Sequence, residues 1–170
     1  GSATADSRRQ PTKIPSVHTE GRVNTRLTAH RVHQCHRSDS EQQTAAIAAE
    51  LARGLPAGTV VLLLGDLGSG KTAFVRGFVQ GVGIASGEVS SPTFTLIQEY
   101  GGGRVYHVDL YRLNPNEVEE LGLEELSENG GLVCIEWADR LPHAVPGAIS
   151  VRINDLGQNS RELVIGYSDR

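Results

Sequence analysis

The sequence has little lysine, little cysteine, few aromatic residues and no long apolar run, and each shortage closes off a class of function. Cys35 and Cys134 stand in unlike contexts without a CxxC spacing, which favours reduced thiols over a disulfide or metal site. No apolar run approaches the roughly 18–20 residues needed to span a bilayer, and residues 1–37 lack the apolar stretch of a signal peptide, so a cytoplasmic protein is expected. Of the 16 basic residues 14 are arginine, and the two lysines are Lys13 and Lys71. A guanine-reading Asn-Lys-x-Asp loop therefore cannot exist beyond Lys71, and any nucleotide bound is expected to be ATP rather than GTP.

The net charge of −4 over 170 residues averages two unlike parts: residues 1–37 carry +5 and residues 38–170 carry −9. An acidic body is a poor surface for a phosphate backbone, so direct nucleic-acid binding by the body is disfavoured. Gly1-Ser2, in place of an initiator Met, reads as a tag scar. Residues 3–37 carry Arg, His, Thr and Pro without periodicity and read as a basic, disordered tail, leaving a single domain over residues 38–170. Four of the six histidines (His18, His30, His33, His36) lie in that tail at irregular spacing and are expected to be solvated rather than metal-bound.

Past the tail the apolar pattern alternates between two periods. Ser40-Glu41-Gln42-Gln43 has the form of a capping box ahead of Ile47, Leu51 and Leu55 at helical spacing. Residues 59–64 (TVVLLL) form an unbroken apolar run, the signature of a strand covered on both faces. Phe74, Val75, Phe78, Val79 and Val82 mark a second helix, closed by Gly81 and Gly83. Residues 93–100 and 104–111 around Gly101-Gly102-Gly103 predict a hairpin, and Asn114-Pro115-Asn116-Glu117 opens one short acidic helix running to about Leu126. Residues 132–136 predict a buried strand, and residues 149–154 and 162–167 two more around a turn at 155–160. The pattern is α/β: a P-loop NTPase-like three-layer sandwich with a mainly parallel central sheet and an antiparallel hairpin extension.

The chemistry concentrates at Gly65-Asp66-Leu67-Gly68-Ser69-Gly70-Lys71-Thr72, which matches GxxxxGK[ST] between an apolar strand and an amphipathic helix. Glycines let the backbone fold into an anion-binding nest, and the following helix adds partial positive charge at its N-terminus. Lys71 is placed to lie along the β- and γ-phosphates, and the Thr72 hydroxyl to ligate Mg²⁺. Mg²⁺ also calls for a carboxylate at the end of a neighbouring strand, and two are available. Glu136 closes residues 132–135 and suits the metal, directly or through water; Asp109 follows residues 105–108 and suits positioning of the attacking water or support of the metal site. No Arg-rich lid of the kind that cages a transferred phosphate appears among Arg76, Arg104, Arg112 and Arg140. Hydrolysis or a nucleotide-gated switch is therefore favoured over phosphoryl transfer to a metabolite. Residues 90–95 (SSPTFT) occupy the place of a switch loop.

Five segments together resemble one family. GDLGSGKT (65–72), SPTFTLIQEY (91–100), YHVDLYRL (106–113), ELGLEE (120–125) and IEW (135–137) occur in the order and spacing of the bacterial TsaE family, formerly YjeE, over about residues 38–167. The resemblance implies an ATPase of the tRNA threonylcarbamoyladenosine (t6A) pathway acting with the TsaB and TsaD proteins. In that pathway TsaD transfers the threonylcarbamoyl group to the adenosine beside the anticodon. The ATPase sustains turnover, weak alone and stimulated in complex, and meets tRNA only through its partners. The resemblance implies that Gly65, Gly68, Ser69, Gly70, Lys71, Thr72 and Ala73 hold the phosphates of ATP. Thr72 and Glu136 serve Mg²⁺, Asp109 is the acid needed for hydrolysis beside Lys71 and Glu136, Trp137 packs near the nucleotide, and Thr44 lies near the adenine. The alternatives are a P-loop small-molecule kinase and a nucleotide-gated adaptor that binds ATP without turnover. The basic N-terminus is longer than is usual for the family and leaves the ATPase expectation unchanged.

Overall fold

The computed structural model describes residues 31–66, 68–85 and 96–168. In chain order its elements are β1 (Arg31–Ser38), α1 (Glu41–Arg53), β2 (Val60–Leu64), α2 (Lys71–Gly81), β3 (Ile97–Tyr100), β4 (Val105–Asp109), α3 (Pro115–Glu119), α4 (Leu123–Glu128), β5 (Leu132–Glu136), β6 (Ile149–Gly157) and β7 (Ser160–Ser168). A 3₁₀ turn at Ala138–Arg140 follows β5. The strands form one seven-stranded sheet in the order β1-β7-β6-β2-β5-β4-β3. β6, β2, β5 and β4 are mutually parallel, and the outer pairs on both sides are antiparallel. The α/β class expected from the sequence is the class observed. Among the described residues no helix is long and apolar enough to cross a membrane.

Helices on both faces explain why the central strands are apolar without alternation. All five residues of β5 are buried. On one face Phe74, Val75, Phe78 and Val79 of α2 and Ala48 and Ala52 of α1 pack against Val61, Leu63, Cys134, Val151 and Ile153. On the other, Val118 joins Leu110, Leu113, Val108, Val133 and Ile135. Each fully buried Val, Leu, Ile or Phe contributes about 1.5–3 kcal/mol relative to exposure, so these two layers are the main favourable term holding the strand ends in place. α1 and α2 approach closely because α2 presents Gly77 and Gly81: a Cβ on Gly77 would overlap the Ala45 backbone, and one on Gly81 that of Ala49. Gly81 is thus a helix-contact residue as well as the last residue of α2, and the chain leaves the helix through Val82 and Gly83 (φ 82°).

The N-terminal boundary needs correction. Residues 31–37, read from sequence as part of the disordered tail, form most of β1, which pairs antiparallel with β7 from Arg31↔Ser168 to Ser38↔Arg161. Its sequence, RVHQCHRS, lacks apolar alternation because His33, Gln34 and Cys35 are exposed on an edge strand, where backbone pairing rather than side-chain burial does the holding. Ser38, at its end, is buried and donates to the Ser40 carbonyl at 2.8 Å.

Two further boundaries differ. The single acidic helix expected from 115 to about 126 is two helices, because Gly122 takes a left-handed conformation (φ 69°) and starts α4. The turn expected over 155–160 shrinks to Gln158 (φ 51°) and Asn159 (φ 67°), the two-residue turn whose twist suits a hairpin. The N-cap of α1 is Ser40, as the sequence predicts, its Oγ accepting from Gln43 N at 3.1 Å; only the return bond of the box differs, Gln43 Oε1 accepting from Asp39 N at 2.7 Å. The hairpin of β3 and β4 is present with Ile97 opposite Val108; residues 93–95, expected in its first strand, and the switch-loop segment 90–95 lie outside the described residues.

Both cysteines are free, Cys35 exposed and Cys134 buried. Burial, aided by the Glu136 charge, drives the Cys134 thiol well above its ordinary range, so it packs as a core residue and not as a nucleophile.

Candidate functional site

The parallel register brings the carboxyl ends of β2, β5 and β4 to one edge of the sheet, with Leu63 opposite Glu136 and Glu136 opposite Asp109. Ligands of open α/β sheets gather at this edge. The loop that follows β2 turns sharply at Gly65 (φ 140°), where a Cβ would overlap the Ile153 carbonyl, so only glycine fits. Gly70 (φ 109°) is the N-cap of α2 and supplies no side-chain cap, which leaves the first-turn N–H groups of the helix for an anion. Ser69 is buried, its N donates to the Asp66 carbonyl at 3.1 Å, and its Oγ has no hydrogen-bond partner among the described residues. Thr72 follows in the first turn of α2, half-buried.

Lys71 is the first residue of α2 and only 8% exposed. Its Nζ donates to the Gly65 carbonyl at 3.0 Å, lies 3.7 Å from Glu136 Oε1, and stands 5.8 Å from the centre of the Trp137 ring. The other Glu136 oxygen, Oε2, is 2.9 Å from His107 Nε2. Burial acts to raise the Glu136 carboxyl, but the His107 hydrogen bond and charge, together with Lys71, outweigh it and hold the group below the ordinary carboxylate range. Glu136 is therefore an anion at neutral pH, buried and aimed at the lysine of the phosphate loop.

Asp109 ends the neighbouring strand half-buried, and its Oδ1 accepts from Tyr111 N at 2.9 Å. That bond holds one oxygen of the carboxylate in place. Trp137 sits in the left-handed region at φ 60°, an uncommon place for a bulky side chain that costs about 1–2 kcal/mol. Its ring meets Tyr111 at 4.8 Å between centroids, so an aromatic pair borders the carboxylates.

On the other side of the loop, a cleft of about 380 Å³ runs between the start of α1 and the turn of β6 and β7, lined by Thr44, Gly68, Gly70, Ala73, Asn159 and Arg161 among others. Its size falls in the range of small-molecule sites. Thr44 is among the residues lining this cleft, but it is buried and its Oγ1 is already hydrogen-bonded to Ser38 Oγ at 2.7 Å. Gly65, Lys71, Glu136 and Trp137 thus gather at one side of the loop, and Thr44, Gly68, Gly70 and Ala73 at the other.

Two neighbours have no counterpart among the candidates read from sequence. Arg161 of β7 reaches across the loop, with Nε donating to the Ser69 carbonyl at 2.8 Å, Nη2 to the Gly68 carbonyl at 3.4 Å and Nη1 to Asp155 Oδ1 at 2.9 Å. It lies 92 and 93 residues from the two loop residues it contacts and in no motif, so no local signal marks it. His107 lies inside the YHVDLYRL segment, two residues before Asp109, and its strand position alone gives it no marked role.

The donors suit the expected metal. A hydroxyl and a carboxylate are hard oxygen ligands, and among the described residues no cluster of three or more His, Cys, Asp or Glu could hold a cation alone. A site of this kind fits Mg²⁺, which keeps several waters and takes its remaining ligands from phosphate.

Comparison with known proteins places this site in a family. The profile of the threonylcarbamoyl adenosine biosynthesis protein TsaE matches residues 38–163. The chain belongs to the TsaE family. Among curated TsaE proteins it is 50% identical to that of Synechocystis over 99 residues, 55% of this chain and 62% of that protein. It is 46% identical to that of Nostoc over 121 residues, 68% of this chain and 74% of that one. The crystal structure of YdiB from Bacillus subtilis superposes with a TM-score of 0.66 at 31% identity, covering 84% of this chain and 90% of YdiB. The TsaE match spans the phosphate loop, both carboxylates and Trp137, and extends to Leu163, past Arg161.

Proposed function

We propose that this protein is an ATPase that serves tRNA threonylcarbamoyladenosine formation, binding Mg²⁺·ATP at the phosphate loop and acting with the TsaB and TsaD proteins. The observation that carries the proposal is the buried Lys71–Glu136 contact, 3.7 Å across, at the strand edge where Asp109 also ends. A cationic residue for phosphate, an anionic one for metal and a second carboxylate beside them are the parts that nucleotide hydrolysis requires.

Each residue has a distinct task in this reading. The backbone of residues 65–72 cradles the phosphates, with Gly68, Ser69, Gly70 and Ala73 permitting close approach. Lys71 exchanges its bond to the Gly65 carbonyl for a phosphate oxygen, a short displacement because the side chain already lies across the loop. Thr72 and Glu136 hold the cation, which when bound neutralises charge on the β- and γ-phosphates. Asp109, fixed by Tyr111 N, orients the attacking water or takes its proton. Trp137 covers the phosphate end, and Thr44 borders the base. The acidic body, at −9 over residues 38–170, fits a protein that meets tRNA through its partners.

The test is phosphate release from ATP, with and without TsaB and TsaD, by the wild type and by Lys71→Ala, Asp109→Ala and Glu136→Ala. Slow release that the partners accelerate, and that each substitution lowers by at least about 100-fold, is expected. Hydrolysis untouched in Lys71→Ala refutes the site. Transfer of phosphate to an added metabolite would make the protein a kinase, and ATP binding without release would make it an adaptor.

A further inference from the structure

We infer that His107 is a positioning residue for the Glu136 carboxylate, fixing the plane of that group so that one oxygen stays turned toward Lys71 and the phosphate loop. The inference rests on the reading of the site as one for Mg²⁺·ATP. His107 lies in β4 opposite Cys134, two residues before Glu136 on the adjacent strand β5. Because side chains alternate along a strand, residues 134 and 136 share a face, and His107 reaches Glu136 diagonally. The result is the 2.9 Å contact from Nε2 to Oε2, while Oε1 stands 3.7 Å from Lys71 Nζ.

Two features separate this contact from ordinary packing. The terminal torsion of a glutamate is soft and broad, so its covalent structure does not choose a plane for the carboxylate. A hydrogen bond to one oxygen does choose it. Second, His107 is fully buried, and its Nδ1 has no hydrogen-bond partner among the described residues. A buried polar atom left unpaired is unfavourable, and an apolar side chain of similar size would fill the place without that cost. The contact through Nε2 is what a histidine supplies here and a leucine cannot. Partners of this kind, one step removed from a metal, typically change metal affinity 10–100-fold when they are lost.

The experiment is calorimetric titration of a non-hydrolysable ATP analogue at rising MgCl₂ for the wild type, His107→Leu, His107→Asn and His107→Gln. A glutamine amide N–H stands near the position of His Nε2, whereas the shorter asparagine falls short of Glu136. The metal-free affinity for the analogue should be unchanged in all four proteins. The Mg²⁺ concentration giving half of the metal-dependent gain should rise about 10–100-fold in the Leu and Asn variants and stay within about threefold of wild type in Gln. If the Leu variant fails to fold, the Asn and Gln pair carries the same comparison. A wild-type Mg²⁺ requirement in the Asn variant, a Gln variant no better than Asn, or an equal loss of metal-free affinity overturns the role. A wild type without any Mg²⁺-dependent affinity would overturn the ATP reading itself, whereas Mg²⁺ dependence indifferent to His107 overturns this inference alone.

Discussion

Replacing Arg161 by alanine should weaken nucleotide binding about 30-fold, although Arg161 lies in the last strand and far from the phosphate loop in sequence. The magnitude follows from its contacts. Nε donates to the Ser69 carbonyl at 2.8 Å, and a hydrogen bond from a charged donor contributes about 1.5–3 kcal/mol. The Gly68 contact at 3.4 Å is long and adds little. The ion pair with Asp155, whose side chain is 55% exposed, is worth about 0–1 kcal/mol. About 2 kcal/mol then holds the Ser69 carbonyl of the loop toward β7, and a loop released from that hold must be reordered by its ligand. At about 1.4 kcal/mol per tenfold, this corresponds to the expected loss. Calorimetry of ATP-analogue binding to wild type, Arg161→Ala, Arg161→Lys and Asp155→Ala separates the terms. Asp155→Ala should lose less than about fivefold. Arg161→Lys should recover less than half of the lost free energy, because an ammonium lacks the planar fork that sets Nε against the Ser69 carbonyl while Nη1 stays on Asp155. Affinity within twofold of wild type in Arg161→Ala would refute the reasoning, and full recovery by lysine would show that charge rather than loop position is at work.

Gly77→Ala tests the contact between α1 and α2 through the sign of its effect. Helix propensity alone would stabilise the variant by about 1 kcal/mol, but the added Cβ overlaps the Ala45 backbone, and overpacking costs about 1–3 kcal/mol or more. The urea midpoint should fall, and a rise would contradict the close helix approach. The pH dependence of stability tests Glu136. Its folded-state pKa is lowered, so its contribution is fully present above the unfolded value near 4.5 and is lost as pH falls through the lower folded value. Unfolding free energy should therefore drop more steeply below about pH 4.5 in wild type than in Glu136→Gln, and parallel curves would place the carboxyl outside the His107–Lys71 network.

The central sheet was legible in the sequence because its strands are buried on both faces: VVLLL and LVCIE announce themselves without help from the fold. The phosphate loop was legible because its glycines and Lys71 meet local demands, sharp turns and a helix start, that sequence spacing encodes. β1 was not legible, since an exposed edge strand of His, Gln and Cys is held by backbone pairing that leaves no pattern in side chains. The roles of Gly77 and Gly81 depend on a second helix, and that of Arg161 on a strand nearly a hundred residues away; neither contact has a local signature. In the site itself, spacing identified Glu136 and Asp109 as acids at strand ends, but only the register, with Asp109 opposite Glu136 and Lys71 beside the latter, separates their surroundings. His107 was hidden for the same reason, because its partner lies on the adjacent strand.

The central claim, that the phosphate loop and Glu136 hold Mg²⁺·ATP between them, is tested most directly by a crystal structure with Mg²⁺ and a non-hydrolysable ATP analogue bound. The account predicts phosphates against residues 65–72 and a cation about 2.0–2.1 Å from the Thr72 hydroxyl, reaching Glu136 directly or through one water. Phosphates bound away from the loop, or a cation that contacts neither Thr72 nor Glu136, would contradict it.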